Sequence, residues 1–447
     1  MTEQHRQVRR TAPAGNRQRQ TSASARRGHP RDARSSRPRD DRRGGRSQAR
    51  RNGKSLAALL ACAAVVIVAV VMIGHACARP TAAPQGEKST TTTVARKASG
   101  SGRVSLCAVG DNLANLNTLA YADSWAGTTD DGTYDFSPLY SHVKKKISSY
   151  DIAFVNQETT LGGTKKFGYL GYPSYNTPDS MAKAVVGAGF DVVNTNSNHT
   201  YDTWIDSIKH AQSVWAGYPK VTTIGSYASE ADRRNVRTVT KNGVTIAFLS
   251  YSYGQNGYQQ SDLPNDYYAV PWDADAMRQD MARAKKKADF VVVYLHMGTE
   301  YTNTPNDQQI TAAQACADAG AGIVLCSHAH VIQPLAWVKR SDGSGKTLVA
   351  YGLGDFVSGY HVPSCVLSGM LSCDIVRKPK GGFVVRNVVW HTLIEHAEGN
   401  TDTVYLASDY PDKLAEKNEL LQRQADPGTW IRSKTREVIG DGFKIDQ

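Results

Sequence analysis

The stretch FVVVYLHMGTE (Phe290–Glu300) sets the reading of this chain. Its first residues are apolar and β-prone, with no polar alternation. They read as a short strand covered on both faces, as in a parallel sheet flanked by helices. The run ends abruptly in His296, with Glu300 close behind. The same construction recurs elsewhere. VSLCAV (Val104–Val109) runs into Gly110-Asp111, and IAFV (Ile152–Val155) runs into Asn156-Gln157-Glu158. Val192–Asn194 leads to Asn198-His199, and IVLC (Ile323–Cys326) leads to Ser327-His328-Ala329-His330. In an open α/β sheet, ligands collect at the carboxyl ends of the strands.

Between these strands lie stretches with helical spacing: Ser137–Ser148, Ser180–Gly187, Trp204–Trp215, Ala274–Ala288 and Ile310–Ala319. Val236–Thr240 and Thr245–Ser250 flank Asn242-Gly243, which fits a type I′ hairpin. Thr347–Tyr351 and Gly382–Leu393 read as late strands. The pattern predicts an α/β domain over 104–394, with a mixed β-sheet core flanked by helices. After Glu395 the chain turns polar, so 395–447 reads as a peripheral C-terminal extension. There is no internal repeat.

The 447 residues carry 53 Lys+Arg and 41 Asp+Glu. Residues 1–54 hold 17 and 4 of these, leaving 36 and 37 for the rest. The basic character therefore belongs to the tail. It gives no ground for a nucleic-acid partner of the main domain. The tail itself has almost no apolar side chains and reads as disordered. Leu56–Gly74 is nineteen residues without a charge, long enough for a helix that spans a bilayer. We read 55–77 as a transmembrane signal anchor with the Arg-rich N-terminus in the cytoplasm and the main domain extracytoplasmic. Gly74-His75-Ala76 resembles a signal-peptidase site, but the apolar run exceeds the usual length of a cleaved signal. Residues 78–103 are rich in Pro, Thr, Ser and Gly and read as a flexible linker.

The polar residues at the strand ends are suited to binding a divalent metal. Asp111, Glu158, Asn198, His296, His328 and His330 offer oxygen and imidazole donors of the kind that hold one or two Mn, Fe or Zn ions. Taken singly, Asp111 or Asn198 would serve equally well to cap a turn. His328 and His330, two apart, face the same side. His142, His210, His361 and His391 read as structural or surface groups.

These stretches resemble the CapA family of poly-γ-glutamate capsule biosynthesis proteins, within the calcineurin-like metallophosphoesterase superfamily. The carrying motifs are AVGDN (Ala108–Asn112), DIAFVNQE (Asp151–Glu158) and GFDVVNTNSNHTYD (Gly189–Asp202). YLHMGTEY (Tyr294–Tyr301), AGIVLCSHAHVIQP (Ala321–Pro334) and YGLGDF (Tyr351–Phe356) follow in order. The resemblance implies that Asp111 and His330 bind one metal, that Asn198, His296 and His328 bind a second, and that Glu158 bridges the two. It implies that His199 contacts phosphate and acts as general acid, oriented by Asp202. Glu300 and Tyr301 belong to the motif without an assigned role. The chain departs from the usual pattern at several points. Leu113 stands where ordinary superfamily members carry a histidine two after the first aspartate. Ser327 and Asp355 replace a usual glycine and asparagine, Met297 a tryptophan, and Ser197 an asparagine. The implied biology is synthesis, export or attachment of an anionic cell-surface polymer such as poly-γ-glutamate, by a metal-dependent hydrolase at the membrane. The alternative is a non-catalytic metal-binding accessory subunit of a polymer synthase or exporter.

Cys365 and Cys373 flank Ser368-Gly369, a spacing compatible with a bridge across a hairpin, and Cys107 and Cys326 end two strands that could be neighbours. No Cys-x-x-Cys occurs, so a thiolate zinc site is unsupported.

Overall fold

A computed structural model describes residues 100–447. The expected tail and membrane segment, and most of the expected linker, lie outside the described residues. Among the described residues no helix is long and apolar enough to cross a membrane.

Two mixed sheets form the body. The nine-stranded sheet runs β14 (Thr401–Leu406), β13 (Phe383–Glu398), β12 (Leu367–Arg377), β1 (Arg103–Asn112), β2 (Ile152–Gln157), β3 (Val192–Asn194), β4 (Thr222–Ile224). Off this path, β11 (Asp355–Val357) pairs with β1 and β15 (Lys444–Asp446) with β13. The six-stranded sheet runs β5 (Arg237–Lys241), β6 (Val244–Ser252), β7 (Phe290–His296), β8 (Ile323–Ser327), β10 (Lys346–Leu353), β9 (Ile332–Lys339). β1–β4 are parallel in one sheet, and β6, β7, β8 and β10 are parallel in the other.

The alternation of side chains explains the layering. Leu106, Ala108, Ile152 and Phe154 join Ile246, Phe248, Val292, Tyr294 and Leu325 in one core between the sheets. Their strand neighbours Cys107, Val109, Ala153 and Val155 face the opposite way, onto the helix Ser180–Ala188. Ala247, Leu249, Val291 and Val293 likewise meet the helices Ala274–Lys287 and Asp307–Ala319. Each central strand is thus covered twice, which is why it reads as an unbroken apolar run. The chain passes from one sheet to the other at Gly354, whose φ is 73°. Its carbonyl accepts from Asp111 N at 3.0 Å, and a Cβ on Gly110 would lie 1.9 Å from that oxygen. Glycine is needed at both positions, at one for backbone conformation and at the other for closeness.

Several expectations need correction. Ser137–Ser148 is not one helix. It is a 3-10 turn, Ser137–Tyr140, with Pro138 at its start, and a separate single turn, Lys144–Ile147. Leu139, Tyr140, Val143 and Ile147 are buried together at helical spacing, but residues 141–143 between the two turns are not helical. A helix over Leu116–Ala126 was unforeseen, since only Thr118, Leu119 and Ala122 are buried and its apolar stripe is weak. Ser368-Gly369 is no turn but lies inside β12, where glycine is required because a Cβ would sit 1.9 Å from the Trp390 ring. The expected Cys365–Cys373 bridge therefore fails. Leu367 to Cys373 alone spans about 20 Å of extended strand, far beyond disulfide reach. Cys107 and Cys326 lie on the outer faces of different sheets. All five cysteines among the described residues are free and buried.

The polar segment 395–447 adds β14 and β15 to the nine-stranded sheet. Its helix Pro427–Ile439 places Ile431, Val438 and Ile439 in the inter-sheet core. A few apolar residues at helical spacing suffice to dock it, although the segment as a whole is polar.

Candidate metal centre

The carboxyl ends of the parallel strands of both sheets converge, and the polar residues foreseen at those ends meet there. Asp111 closes β1 and is fully buried. Its carboxylate accepts from Asn156 Nδ2 at 2.7 Å and from the His328 backbone N–H at 3.1 Å. Asn156 is oriented in turn by Asn194 Nδ2 at 2.6 Å. Glu158, just past β2, is buried, and neither of its oxygens has a hydrogen-bond partner. His296 Nε2 stands 3.5 Å from Glu158 Oε1 and 2.7 Å from Asn198 Oδ1. The Tyr294 hydroxyl and Asn156 Nδ2 lie 3.0 Å and 3.4 Å from His296 Nδ1.

His328 and His330 follow β8 with φ of 101° and 59°. Non-glycine residues enter this region only when their surroundings hold them there. His330 Nδ1 donates to Asp355 Oδ1 at 2.8 Å. Two groups of potential ligand atoms result, each within 4.8 Å of one another: Glu158, His328 and His330, and Asp111, His330 and Asp355. His199 and Asp202 form a separate pair, with Nδ1 donating to Oδ2 at 2.7 Å. The Tyr175 backbone N–H holds the same Asp202 oxygen at 2.7 Å. The structure therefore brings together all six foreseen ligands and the His–Asp pair. His142, His210, His361 and His391 lie apart, against Tyr405, Asp179, Asp402 and Asp446.

The charges are strained by burial. Burial, reinforced by the Glu158 charge, pushes the Asp111 carboxyl well above the usual range. Burial also acts to raise Glu158, but His296, His330 and His199 outweigh it and hold that carboxyl at about 2. Burial acts to lower His330, but Asp355, Glu158 and Asp111 outweigh it and push the imidazole up to about 10. Burial and the neighbouring imidazoles drive His328 well down. Three carboxylates packed in a dry site call for positive charge.

The donor set fits a divalent transition metal. It mixes carboxylate oxygens and imidazole nitrogens, all buried, as such sites do. Among the buried polar atoms without partners, Glu158 Oε1 and Oε2, Asp355 Oδ2 and His328 Nδ1 belong to this cluster.

Sequence reasoning missed the aromatic surround. Tyr253 packs on His328 with ring centroids 4.6 Å apart. Tyr360 and Tyr301 pack on His330 at 5.5 and 5.7 Å. Tyr175 meets His199 edge-on at 4.6 Å. Tyr253 and Tyr301 remain 39% and 47% exposed, so the rim of the buried cluster is aromatic. Only Tyr301 lay in a noted motif.

A family model described as "Bacterial capsule synthesis protein PGA_cap" matches residues 105–360. The PGA biosynthesis protein CapA of Bacillus subtilis (strain 168) is 31% identical over 183 residues, 40% of this chain and 46% of that protein. The capsule biosynthesis protein CapA of Bacillus anthracis is 28% identical over 237 residues, 50% of this chain and 54% of that one. The chain thus spans about half the length of the curated relatives it matches. Among solved structures, Haemophilus influenzae NAD nucleotidase (NadN) aligns with a TM-score of 0.41 at 11% identity, covering 75% of this chain and 67% of that one. A hypothetical protein from Thermus thermophilus aligns with a TM-score of 0.38 at 14% identity, covering 64% and 98%. Matched by the family model over more than half its length, the chain belongs to the bacterial capsule synthesis protein PGA_cap family.

Proposed function

We propose that the domain is a metal-dependent hydrolase of phosphoesterase type, acting on an anionic cell-surface polymer such as poly-γ-glutamate or on a precursor of it. The observation that carries this reading is the buried Glu158 carboxylate, unpartnered among three imidazoles. Such a group is costly unless a cation completes it. A bound pair of divalent ions would supply Lewis-acid charge and lower the pKa of an attacking water. Glu158 would bridge the ions. Asp111 and His330 would hold one, and Asn198, His296 and His328 the other. Asn156 fixes the Asp111 carboxylate. Asp202 fixes the His199 ring through Nδ1, leaving Nε2 to protonate a leaving oxygen.

The membrane anchor over 55–77 would hold this domain outside the cell, beside the subunits that make or export the polymer. A groove near Gly162 supports an anionic substrate, since Lys165, Lys166 and Lys209 line it against Asp206 alone.

One observation favours a second reading, a metal-binding accessory subunit without turnover: Leu113, fully buried, occupies the place of the missing histidine.

The test is metal content and phosphodiesterase turnover of the full chain loaded with manganese, beside a His328→Ala, His330→Ala double variant. The hydrolase reading expects metal and turnover in the parent and neither in the variant. Metal without turnover on a chromogenic phosphodiester would overturn it in favour of the accessory role.

A further inference from the structure

Leu113 leaves the first metal position one donor short of the superfamily pattern, and the structure offers a replacement from another strand. β11 lies parallel to the end of β1 in a register that sets Asp355 directly opposite Asp111. The crossing at Gly354 pins that register, because the Gly354 carbonyl accepts from Asp111 N at 3.0 Å and the Val357 carbonyl accepts from Leu113 N at 2.8 Å. Asp355 is fully buried. One of its oxygens is held by His330 Nδ1 at 2.8 Å, and the other, Oδ2, has no partner. Asp355 shares a cluster of potential ligand atoms with Asp111 and His330.

We propose that Asp355 is a direct ligand of the first metal position, taking the place of the histidine that Leu113 has displaced. Its Oδ1 steadies His330, and its Oδ2 completes an oxygen-rich set with Asp111 and Glu158. Carboxylate-rich coordination favours manganese over softer, nitrogen-preferring ions at that position. A histidine lost from one strand has thus been exchanged for a carboxylate delivered by its neighbour. The inference rests on the metal-centre reading above.

Asp355→Asn tests it. Asparagine keeps an acceptor for His330 Nδ1 and the shape of the side chain, but loses the anionic donor. Manganese affinity and stoichiometry of the full chain would be read by titration and elemental analysis. The expectation is loss of the more weakly held manganese, or weakening by about 100-fold or more, beyond what an outer partner still able to accept its hydrogen bond would cause. A variant that binds manganese within about tenfold of the parent would show that Asp355 only orients His330, and would overturn the inference. A parent that takes up no manganese would overturn the metal-centre reading and this inference together. A melting curve of the chelated variant checks the fold. Should it not fold, Asp355→Ser carries the same expectation.

Discussion

The two sheets bring different chemistry to the edge where they meet. The nine-stranded sheet delivers oxygens, from Asp111, Glu158, Asn198 and Asp355, on or just beyond β1, β2, β3 and β11. The six-stranded sheet delivers imidazoles, from His296 at the end of β7 and from His328 and His330 just past β8. The oxygen side is braced through amides, Asn194 to Asn156 to Asp111, and none of its four donor residues has a positive φ. The imidazole side is held by a loop with left-handed backbone. Neither sheet alone makes a site. Carboxylates on one side and imidazole nitrogens on the other leave a cavity that a divalent ion would bridge. His199 is the exception, an imidazole on the oxygen side, and it is paired with Asp202.

The largest effect should come from breaking the oxygen side. Glu158→Gln is expected to weaken metal binding by on the order of 1,000-fold, with turnover following. Elemental analysis of parent and variant reads the effect, and a metal content equal to the parent's would contradict the division drawn above.

Asp202→Asn probes the exception. It should lower kcat by about 100-fold and leave metal content unchanged. Metal loss in this variant would instead move His199 into the ligand set.

The smallest effect concerns the support beneath the oxygen side. Glu395 accepts from the Ser358 and Gly359 backbone N–H groups at 3.0 and 2.9 Å, clamping the loop that follows Asp355. Burial, with Asp402 nearby, raises its carboxyl from 4.5 to about 7 although those N–H groups oppose the shift. A folded value above the unfolded one favours folding fully below about 4.5, and that contribution is lost as pH rises through about 7. Glu395→Gln should therefore flatten the fall in stability between about pH 5 and 8, by roughly 1–3 kcal/mol. Denaturant midpoints of parent and variant at both pH values would show it, and parallel profiles would contradict it.

Much of this site was legible in the sequence because it is written at strand ends. An unbroken apolar run announces a strand covered twice, and the first polar residue after it announces what the strand presents. That logic found Asp111, Glu158, His296, His328 and His330 without tertiary information. It could not find what depends on lateral register. Asp355 was visible as a departure from a motif, but its position opposite Asp111 is a property of β11 on β1. Tyr253 and Tyr360 are ordinary tyrosines in loops, and only packing against the imidazoles distinguishes them. Gly369 was misread because a glycine beside a serine signals a turn, whereas the Trp390 ring demands one within a strand.

The backbone at His328 and His330 carries a further consequence. Left-handed geometry at a residue with a side chain costs on the order of 1 kcal/mol at each position. Glycine at either would relax the loop and delete an imidazole in the same step. Selection for heat resistance and selection for metal retention therefore pull against each other at these two codons. In a library evolved for thermal tolerance in the presence of a chelator, where no bound metal adds stability, glycine should accumulate there, and those clones should be the ones that no longer take up metal.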